Sequence, residues 1–308
     1  MDVAAVNDLA TPAQLAYLFH YDSNYGKWPG EVLASDGALE IDGRRIVATA
    51  EPDPASIPWA DLGVDVVLEC TGRLTDGQKA AAHLRAGARK VIISAPAKNE
   101  DLTIVLGVNQ ARYEPRTHHV LSNASCTTNG LAPMVYVLHR AFGVTRGFMT
   151  TVHAYTNSQG IQDVIRGDLR EGRAGAENLV PLSTGASRAI GRVLPELDGR
   201  LDGMAIRAPV PCVSIVDLVA TYAKRVTAAD LNQVLAEAAA GELDGILGFS
   251  REPLVSSDLR GDTRSSIIDA PLTQGSEHMG KTLAWYDNEW GYSCRLGDLA
   301  AFVLEKGW

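Results

Sequence analysis

Residues 64–94, VDVVLECTGRLTDGQKAAAHLRAGARKVIIS, decide the fold class. Residues 64–69 are an apolar run of strand length, and residues 90–94 are a second run rich in β-branched side chains. Residues 75–86 between them have helical periodicity and end at Gly87, a residue type that commonly closes helices. A strand, a helix and a second strand at this spacing indicate a crossover between parallel strands. The stretch therefore predicts an α/β protein with a Rossmann-type doubly wound sheet.

The same alternation of strands and helices extends over residues 1–125. Residues 3–6 form a short predicted strand, and Thr11 and Pro12 then begin a helix, with Thr as its N-cap and Pro in its first turn. Residues 38–48 predict a hairpin because two β-type runs flank a two-residue turn of Asp and Gly. We therefore expect residues 1–125 to form one doubly wound α/β domain.

Beyond residue 142 the pattern changes to longer β-rich runs separated by helices. This change predicts a second, α+β domain over residues 126–288, with a mixed sheet covered by helices on one face. The final segment, residues 289–308, is helical again, and we expect it to complete the first domain. The runs that predict strands are residues 144–155, 204–207, 213–223 and 282–286, and those that predict helices are residues 183–194 and 228–240.

Composition excludes several classes of function. The chain has 308 residues, 46% of them hydrophobic, and a net charge of −9, so it lacks the basic surface that binders of nucleic acid or anionic membranes need. Its apolar runs have strand length and its N-terminus has no signal-peptide pattern, which predicts a cytoplasmic protein. The four cysteines are widely spaced without a CxxC pair, which predicts neither a disulfide framework nor a metal site.

One of these cysteines has a context that suggests chemistry. Cys126 lies in SNASCTTNG, residues 122–130, between an apolar strand-like run and a helix predicted at residues 131–139. The positive end of a helix dipole favours the thiolate, although a buried structural cysteine explains the residue equally well. His153, in TTVHAYT, is the best candidate for a base beside the thiol, and its alternative role is that of an ordinary core histidine.

Five motifs together give a more specific indication. The stretches SNASCTTN, TTVHAYT, STGAS, GMAIRAPVPCVSIVDL and WYDNEWGYS, in this order, resemble the phosphorylating glyceraldehyde-3-phosphate dehydrogenase family. The resemblance implies NAD-dependent oxidative phosphorylation of an aldehyde phosphate through a cysteine thioester, in glycolysis or gluconeogenesis. It also implies a homotetramer that uses inorganic phosphate. Glyceraldehyde 3-phosphate and a close analogue such as erythrose 4-phosphate both remain open as the substrate.

The resemblance also implies roles for single residues. Cys126 would be the nucleophile and His153 the base. The residues that would bind the substrate phosphate or the attacking phosphate are Ser125, Thr127, Thr156, Thr184, Gly185 and Arg207. The residues that would bind the cofactor are Thr71, Gly72, Ser94, Asn288 and Tyr292.

Asp8 indicates which nicotinamide cofactor is used. It follows a short predicted strand, where a carboxylate accepts hydrogen bonds from both ribose hydroxyls and repels a 2′-phosphate. Val164 and Ile165 lie where the NAD-preferring members of the family are apolar. Both observations predict NAD rather than NADP, although an Asn-Asp pair also suits an ordinary turn.

Two departures from the family pattern leave a second interpretation open. The chain contains no G-x-G-x-x-G, and only seven residues precede Asp8, so we expect a segment with the first strand and this loop to precede Met1. Glu171 also stands where the family commonly has an arginine at the attacking phosphate, which predicts weak phosphate binding. The alternative function is that of a catalytically degenerate member acting as a subunit or binding protein. The intact Cys126 and His153 favour an enzyme.

Overall fold

The predicted crossover at residues 64–94 is present in the computed structural model, which describes all 308 residues. Strands Val66–Glu69 and Lys90–Ile93 pair in parallel, as expected. The segment between them is two short helices, Gly77–Ala80 and Ala82–Arg85, instead of one helix over residues 75–86. The crossover that fixes the fold class is thus confirmed, while its helix is shorter and interrupted.

The chain divides into two units. Unit 1 comprises residues 1–102, 113–123 and 298–308, and unit 2 comprises residues 103–112 and 124–297. The sequence predicts boundaries of the functional domains after residues 125 and 288, and we retain these boundaries as a proposal.

Unit 1 is built mainly from short strands, three helices and the C-terminal half of the last helix of the chain, Trp290–Lys306. The helices are α1 Pro12–His20, α2 Gly77–Ala80 and α3 Ala82–Arg85. The strands of this part of the chain are β1 Ala5–Asn7, β2 Tyr21–Asp22, β3 Gly26–Lys27, β4 Val32–Ser35, β5 Ala38–Ile41, β6 Arg44–Thr49, β7 Val66–Glu69, β8 Lys90–Ile93, β9 Leu102–Thr103 and β10 Val120–Ser122.

The strands of unit 1 form two separate four-stranded sheets. One sheet has the order β1-β6-β5-β4 and the other β7-β8-β10-β9, while β2 and β3 pair with each other. Parallel pairing joins β1 to β6, β7 to β8, and β8 to β10, in agreement with the predicted Rossmann-type class. No pairing joins β1 to β7, so the two four-stranded sheets are not connected through these strands.

Two local predictions in unit 1 are confirmed. Helix α1 begins after Thr11, whose side chain and that of Gln14 form a reciprocal capping box, and Pro12 occupies its first turn. The hairpin β5–β6 turns at Asp42 and Gly43, which have φ angles of 52° and 76°. These left-handed conformations match the two-residue turn that an Asp-Gly pair favours.

Unit 2 contains one eight-stranded sheet. The strands are β11 Val144–Ala154, β12 Val180–Ser183, β13 Leu201–Ala208, β14 Ser214–Tyr222, β15 Leu247–Ser250, β16 Ser266–Asp269, β17 Gln274–Ser276 and β18 Met279–Tyr286. Their order is β12-β13-β11-β14-β18-β16-β15, and β17 pairs with β18. Strand β11 pairs in parallel with β13 and antiparallel with β14, so the predicted mixed sheet is confirmed. The helices are α4 Cys126–Phe142, α5 Ala186–Val193 and α6 Ala228–Ala239, and α7 Trp290–Lys306 follows the last strand.

Helix α4 lies at the centre of the largest apolar core. Leu131, Met134 and Leu138 of this helix are completely buried among side chains of β11, β14 and β18 and of α5 and α6. Burial of each side chain of this size stabilises the folded protein by about 1.5 to 3 kcal/mol. The N-terminus of α4 is thereby held firmly in unit 2.

None of the helices combines the length and the hydrophobicity that a membrane span requires.

Candidate active site

Cys126 is the first residue of helix α4. The preceding residue, Ser125, has extended backbone geometry and caps the helix, with its Oγ accepting a hydrogen bond of 3.0 Å from the backbone N–H of Thr128. The thiol therefore lies at the positive end of a 17-residue helix. The predicted helix began five residues later because CTTNG, residues 126–130, has no apolar periodicity.

His153 faces the thiol from strand β11. Its Nε2 lies 3.4 Å from Sγ of Cys126, within hydrogen-bonding distance for sulfur. The imidazole packs edge-on against the ring of Tyr286, with 5.9 Å between ring centroids. The hydroxyl of Tyr286 is held in turn by Thr127 at 2.9 Å and Thr151 at 2.7 Å. The base is thus fixed by packing as well as by its hydrogen bonds.

Both members of this pair are neutral when no ligand is present. Burial raises the pKa of the Cys126 thiol, while a hydrogen bond with Thr127 and the charge of Arg207 act in the opposite direction. Burial, followed by the charge of Arg207, lowers the pKa of His153 to about 4, although its hydrogen bond to Ala154 favours the charged form. Near neutral pH the site therefore holds a thiol beside a neutral imidazole.

Arg207 reaches the other side of the same imidazole. It lies opposite His153 in the parallel pairing of β13 with β11. Its Nη1 is 2.6 Å from Nδ1 of His153 and 3.0 Å from the carbonyl oxygen of Ala154. Its Nε is buried and has no hydrogen-bond partner. The guanidinium therefore retains donor capacity for an anion.

Ser214, which lies in the motif GMAIRAPVPCVSIVDL but has no role in the sequence analysis, connects this pair to Asn288. Its Oγ accepts a hydrogen bond of 3.0 Å from the backbone N–H of Ala154 and donates one of 3.0 Å to Oδ1 of Asn288. Ser214 and Asn288 are both buried. The serine thus fixes the side-chain amide of Asn288 and the backbone next to His153 at the same time.

Two strained residues lie next to the site. Ala124 has φ 56° and Val213 has φ 67°, a left-handed conformation that is unfavourable for any L-residue and most of all for a β-branched one. Each such residue costs about 1 to 3 kcal/mol and is found chiefly where function needs the geometry. Ala124 leads into Ser125 and Cys126, and its carbonyl oxygen accepts a hydrogen bond of 3.0 Å from the hydroxyl of Tyr292.

The other residues expected to bind phosphate make local contacts. The Oγ1 of Thr156 lies 3.1 Å from Oγ of Ser158, and its backbone N–H donates to Gln159 at 2.9 Å. Thr184 caps the start of α5 by accepting a hydrogen bond of 3.2 Å from the backbone N–H of Ala186. Gly185 precedes the same helix, and the space where its Cβ would lie is open.

Glu171 lies on an exposed loop between β11 and β12. Asp168 organises this loop because its Oδ1 accepts hydrogen bonds from the backbone N–H groups of Arg170 and Glu171, at 2.8 and 3.1 Å. Arg173 forms an ion pair of 3.1 Å with Asp163 across the loop. Ile165 on this loop is fully exposed.

The expected cofactor residues of unit 1 lie at the carboxyl ends of parallel strands. Asp8 follows β1, Thr71 and Gly72 follow β7, and Ser94 follows β8. The backbone N–H of Ser94 donates a hydrogen bond of 3.0 Å to the carbonyl oxygen of Glu69, which joins the ends of β7 and β8. Gly72 has φ 68°, and the space around its Cα is open. Asp8 lies on one sheet, and Thr71, Gly72 and Ser94 lie on the other. Nucleotides bind at the carboxyl ends of parallel strands, so each of these positions suits contact with a nucleotide.

No group of three or more His, Cys, Asp or Glu side chains is arranged to hold a metal ion. No disulfide joins any of the four cysteines, of which Cys70 is exposed, Cys126 and Cys294 are half-buried, and Cys212 is buried.

Comparison with known proteins identifies the family to which the chain belongs. The family model for the NAD binding domain of glyceraldehyde 3-phosphate dehydrogenase matches residues 1–77, and the model for its C-terminal domain matches residues 125–288. The chain is 55% identical to glyceraldehyde-3-phosphate dehydrogenase of Geobacillus stearothermophilus over 308 residues, which are 100% of this chain and 92% of the relative. Identity is 53% to glyceraldehyde-3-phosphate dehydrogenase 1 of Bacillus subtilis, with the same coverage of both chains. It is 50% to glyceraldehyde-3-phosphate dehydrogenase of Streptomyces coelicolor, over 98% of this chain and 91% of the relative.

Proposed function

Because the chain belongs to the glyceraldehyde-3-phosphate dehydrogenase family, we propose that Cys126, His153 and Arg207 carry out its reaction. The protein is an NAD-dependent oxidoreductase that converts glyceraldehyde 3-phosphate and inorganic phosphate to an acyl phosphate in glycolysis. The 3.4 Å distance between Sγ of Cys126 and Nε2 of His153 is the observation that carries the assignment of the two residues.

The first step needs a base because the thiol is neutral. Sγ of Cys126 forms a bond to the aldehyde carbon while Nε2 of His153 removes the thiol proton, which then passes to the former carbonyl oxygen. The pKa of His153, about 4, leaves the imidazole unprotonated at neutral pH, so that a ring nitrogen has a lone pair for this proton. The product of this step is a hemithioacetal on Cys126.

Oxidation and phosphate transfer complete the reaction. NAD, when bound, accepts the hydride from the hemithioacetal carbon. His153 removes the proton of the hydroxyl group in the same step, and a thioester on Cys126 results. Inorganic phosphate then attacks the thioester carbon, the bond to Sγ breaks, and the proton held by His153 returns to the sulfur. Thr184, Gly185, Ser125 and the backbone of Thr127 are the proposed donors to the attacking phosphate, since the start of a helix binds anions.

Arg207 decides which nitrogen of His153 carries the proton. Nδ1 lies 2.7 Å from the carbonyl oxygen of Ala154, to which it donates when protonated, and 2.6 Å from Nη1 of Arg207, from which it accepts when unprotonated. Only the first arrangement leaves a lone pair on Nε2 for the thiol proton. A substrate phosphate that binds Arg207 and Thr156 draws the guanidinium toward itself, and this favours the arrangement in which His153 acts as the base.

The cofactor is NAD, and we propose that Asp8, Thr71, Gly72 and Ser94 of unit 1 and Asn288 and Tyr292 of unit 2 bind it. Asp8 offers a carboxylate to the ribose hydroxyls at the end of β1. The hydroxyl of Ser214 donates a hydrogen bond to Oδ1 of Asn288, and this contact also sets the direction of the amide nitrogen of Asn288. These assignments rest on residue chemistry within each unit.

We propose a cytoplasmic homotetramer as the working form. The face of the large sheet opposite helix α4 exposes Phe148, Val152, Met204 and Val219, and Phe148 is 74% exposed. Phe148 and Val219 are directly paired neighbours on β11 and β14. An apolar face of this kind supports burial against another copy of the chain. Sedimentation of the wild-type chain and of Phe148→Asp tests the assembly, and an unchanged mass for the variant argues against this face.

Rapid-mixing kinetics test the catalytic assignment. Cys126→Ser is expected to abolish the burst of NADH that precedes steady turnover. His153→Gln is expected to slow the burst by about 100-fold or more, the usual size of a general-base contribution. Cys212→Ser is the matched control for cysteine removal, because this buried thiol packs in a different apolar cluster, with Leu259 and Ile267. A normal burst in Cys126→Ser contradicts the proposal.

A further inference from the structure

Unit 1 contains a chain of four hydrogen-bonded side chains, three of them buried, that the proposed reaction does not use. The Nε1 of Trp59 lies 3.0 Å from Nδ1 of His83, and Nε2 of His83 lies 3.0 Å from Oε2 of Glu69. The Oε1 of Glu69 accepts hydrogen bonds from the backbone N–H of Thr71, at 2.8 Å, and from the Thr71 hydroxyl. Trp59, His83 and Glu69 are each at least 95% buried. A carboxylate so deeply buried needs a reason, because burial without partners is costly.

Each proton in this chain has only one consistent position. An indole N–H can only donate, so Nδ1 of His83 accepts and carries no proton. The proton of the neutral ring is then on Nε2, where it is donated to Glu69. Since Oε1 of Glu69 also accepts two hydrogen bonds from Thr71, the carboxyl group acts only as an acceptor, which is the ionised form. Burial raises the pKa of Glu69, but hydrogen bonds with His83 and Thr71 outweigh it, and the pKa is below its ordinary value.

This ionised carboxylate determines the shape of the turn after β7. Thr71 is held at both its backbone N–H and its hydroxyl, and the hydroxyl also accepts a hydrogen bond of 3.1 Å from the backbone N–H of Arg73. Gly72, between them, has φ 68° and an open surface. The turn is therefore tied to helix α3 through His83 and to the loop before β7 through Trp59.

We propose that Trp59, His83 and Glu69 are positioning residues that hold Thr71 and Gly72 in the conformation that binds NAD. The inference rests on the proposed function, which assigns Thr71 and Gly72 to the cofactor. Loss of the His83 donor leaves one oxygen of a buried carboxylate unpaired, and the carboxyl group then takes up a proton at higher pH. A protonated Glu69 carries an O–H donor in place of an acceptor and competes with the two donors of Thr71. The titratable groups that face Glu69 are His83, on α3, and the neighbouring Cys70.

Equilibrium titration of NAD against four variants tests the proposal, without requiring turnover. His83→Leu and Glu69→Gln are expected to raise the NAD dissociation constant at least about 10-fold, the effect of one lost hydrogen bond to a charged group. His83→Gln keeps a donor for Glu69 and an acceptor for Trp59, so its dissociation constant stays within about 3-fold of the wild type. Val91→Ala, a completely buried apolar position on β8, is the control for loss of stability alone and is expected to leave NAD binding unchanged.

The dependence of NAD binding on pH separates positioning from simple destabilisation. In wild type and in Val91→Ala the dissociation constant is expected to be constant from about pH 8 to pH 5.5. In His83→Leu it rises as the pH falls, because Glu69 becomes protonated. Amide hydrogen exchange at Thr71 and Arg73 is expected to accelerate in the same variant.

Wild-type NAD affinity in His83→Leu, or an equal loss in Val91→Ala, overturns the proposal while leaving the thioester chemistry of Cys126 unaffected. Absence of NAD binding by the wild-type chain overturns both this inference and the cofactor assignment, whereas the acylation of Cys126 tests the proposed function independently.

Discussion

The Sγ of Cys126 lies 3.4 Å from Nε2 of His153, although 27 residues separate the two in sequence. The contact exists because the chain passes through helix α4 and returns along strand β11, which ends next to the start of the helix. A nucleophile at a helix N-terminus is thereby placed against a base on a rigid strand. Because burial favours the neutral form of both groups, we propose that His153 removes the thiol proton as Sγ bonds to the substrate.

Stability should depend on pH through His153. Its pKa is about 4 in the folded protein and about 6.5 when unfolded, so between these values the unfolded chain binds a proton that the folded chain does not. The free energy of unfolding therefore falls as the pH is lowered from 6.5 to 4, by on the order of 3 kcal/mol from this residue. Urea unfolding of wild type and His153→Gln at pH 7 and pH 4.5 isolates the contribution. Identical losses in the two proteins rule out a buried neutral His153.

Removal of Arg207 should raise the pKa of His153, because its positive charge is one of the two causes that lower it. As the solution is acidified, we expect Cys126 to lose its reactivity toward iodoacetamide. This loss should occur at a higher pH in Arg207→Leu than in wild type. The rate of alkylation is followed by peptide mapping from pH 8 to pH 4, and the pH at which it falls reports the pKa of His153. Arg251→Leu, at the exposed position just after β15, removes the same charge elsewhere in unit 2 and should leave the profile in place.

Ser214→Ala should weaken binding of NAD and stability together. The substitution leaves the backbone N–H of Ala154 and Oδ1 of Asn288 without their 3.0 Å partners in a buried setting. Each unpaired group costs about 1 to 3 kcal/mol of unfolding free energy. Ser265→Ala is a matched control, since the buried hydroxyl of Ser265 has no hydrogen-bond partner. Equal KM values for NAD in the two variants speak against a role for Ser214 in orienting Asn288.

Replacement of Glu171 by arginine should improve the use of phosphate. The change alters the charge of the loop by two units and restores the residue that the family commonly carries at this position. We expect the KM for inorganic phosphate to fall by about 10-fold or more, with no change in the size of the NADH burst, since acylation precedes phosphate attack. Glu196→Arg makes the same charge change at an exposed position elsewhere. A phosphate KM that drops equally in both variants reflects general electrostatics and not this loop.

Local signals in the sequence were sufficient for most of the fold. The capping box at Thr11 and the turn at Asp42 and Gly43 depend on neighbouring residues, and both are found as predicted. Helix α4 begins earlier than predicted because the cap formed by Ser125, and not an apolar repeat, sets its start. The helix predicted over residues 75–86 is interrupted at Ala81, which the uniform small-residue pattern there did not indicate.

The site could be predicted only where the family motifs name its residues. Cys126, His153 and Arg207 were proposed from such motifs, and the structure brings them into direct contact. Ser214 and the Trp59–His83–Glu69 chain were not identified, because their hydrogen bonds join residues far apart in sequence. A serine at the start of a strand or a histidine in a short helix has no local signature of such a role. The left-handed backbone of Val213 is likewise set by tertiary structure, because a β-branched residue disfavours it.

The thioester on Cys126 provides the most direct test of the central claim. The protein is mixed with NAD and glyceraldehyde 3-phosphate without inorganic phosphate, quenched in acid within one turnover, digested and analysed by mass spectrometry. We predict that the peptide containing Cys126 carries the mass of one phosphoglyceroyl group, and that added inorganic phosphate removes it before the quench. His153→Gln should accumulate the same adduct much more slowly. Formation of NADH with no adduct on Cys126, or with the adduct on Cys70, Cys212 or Cys294, contradicts the account.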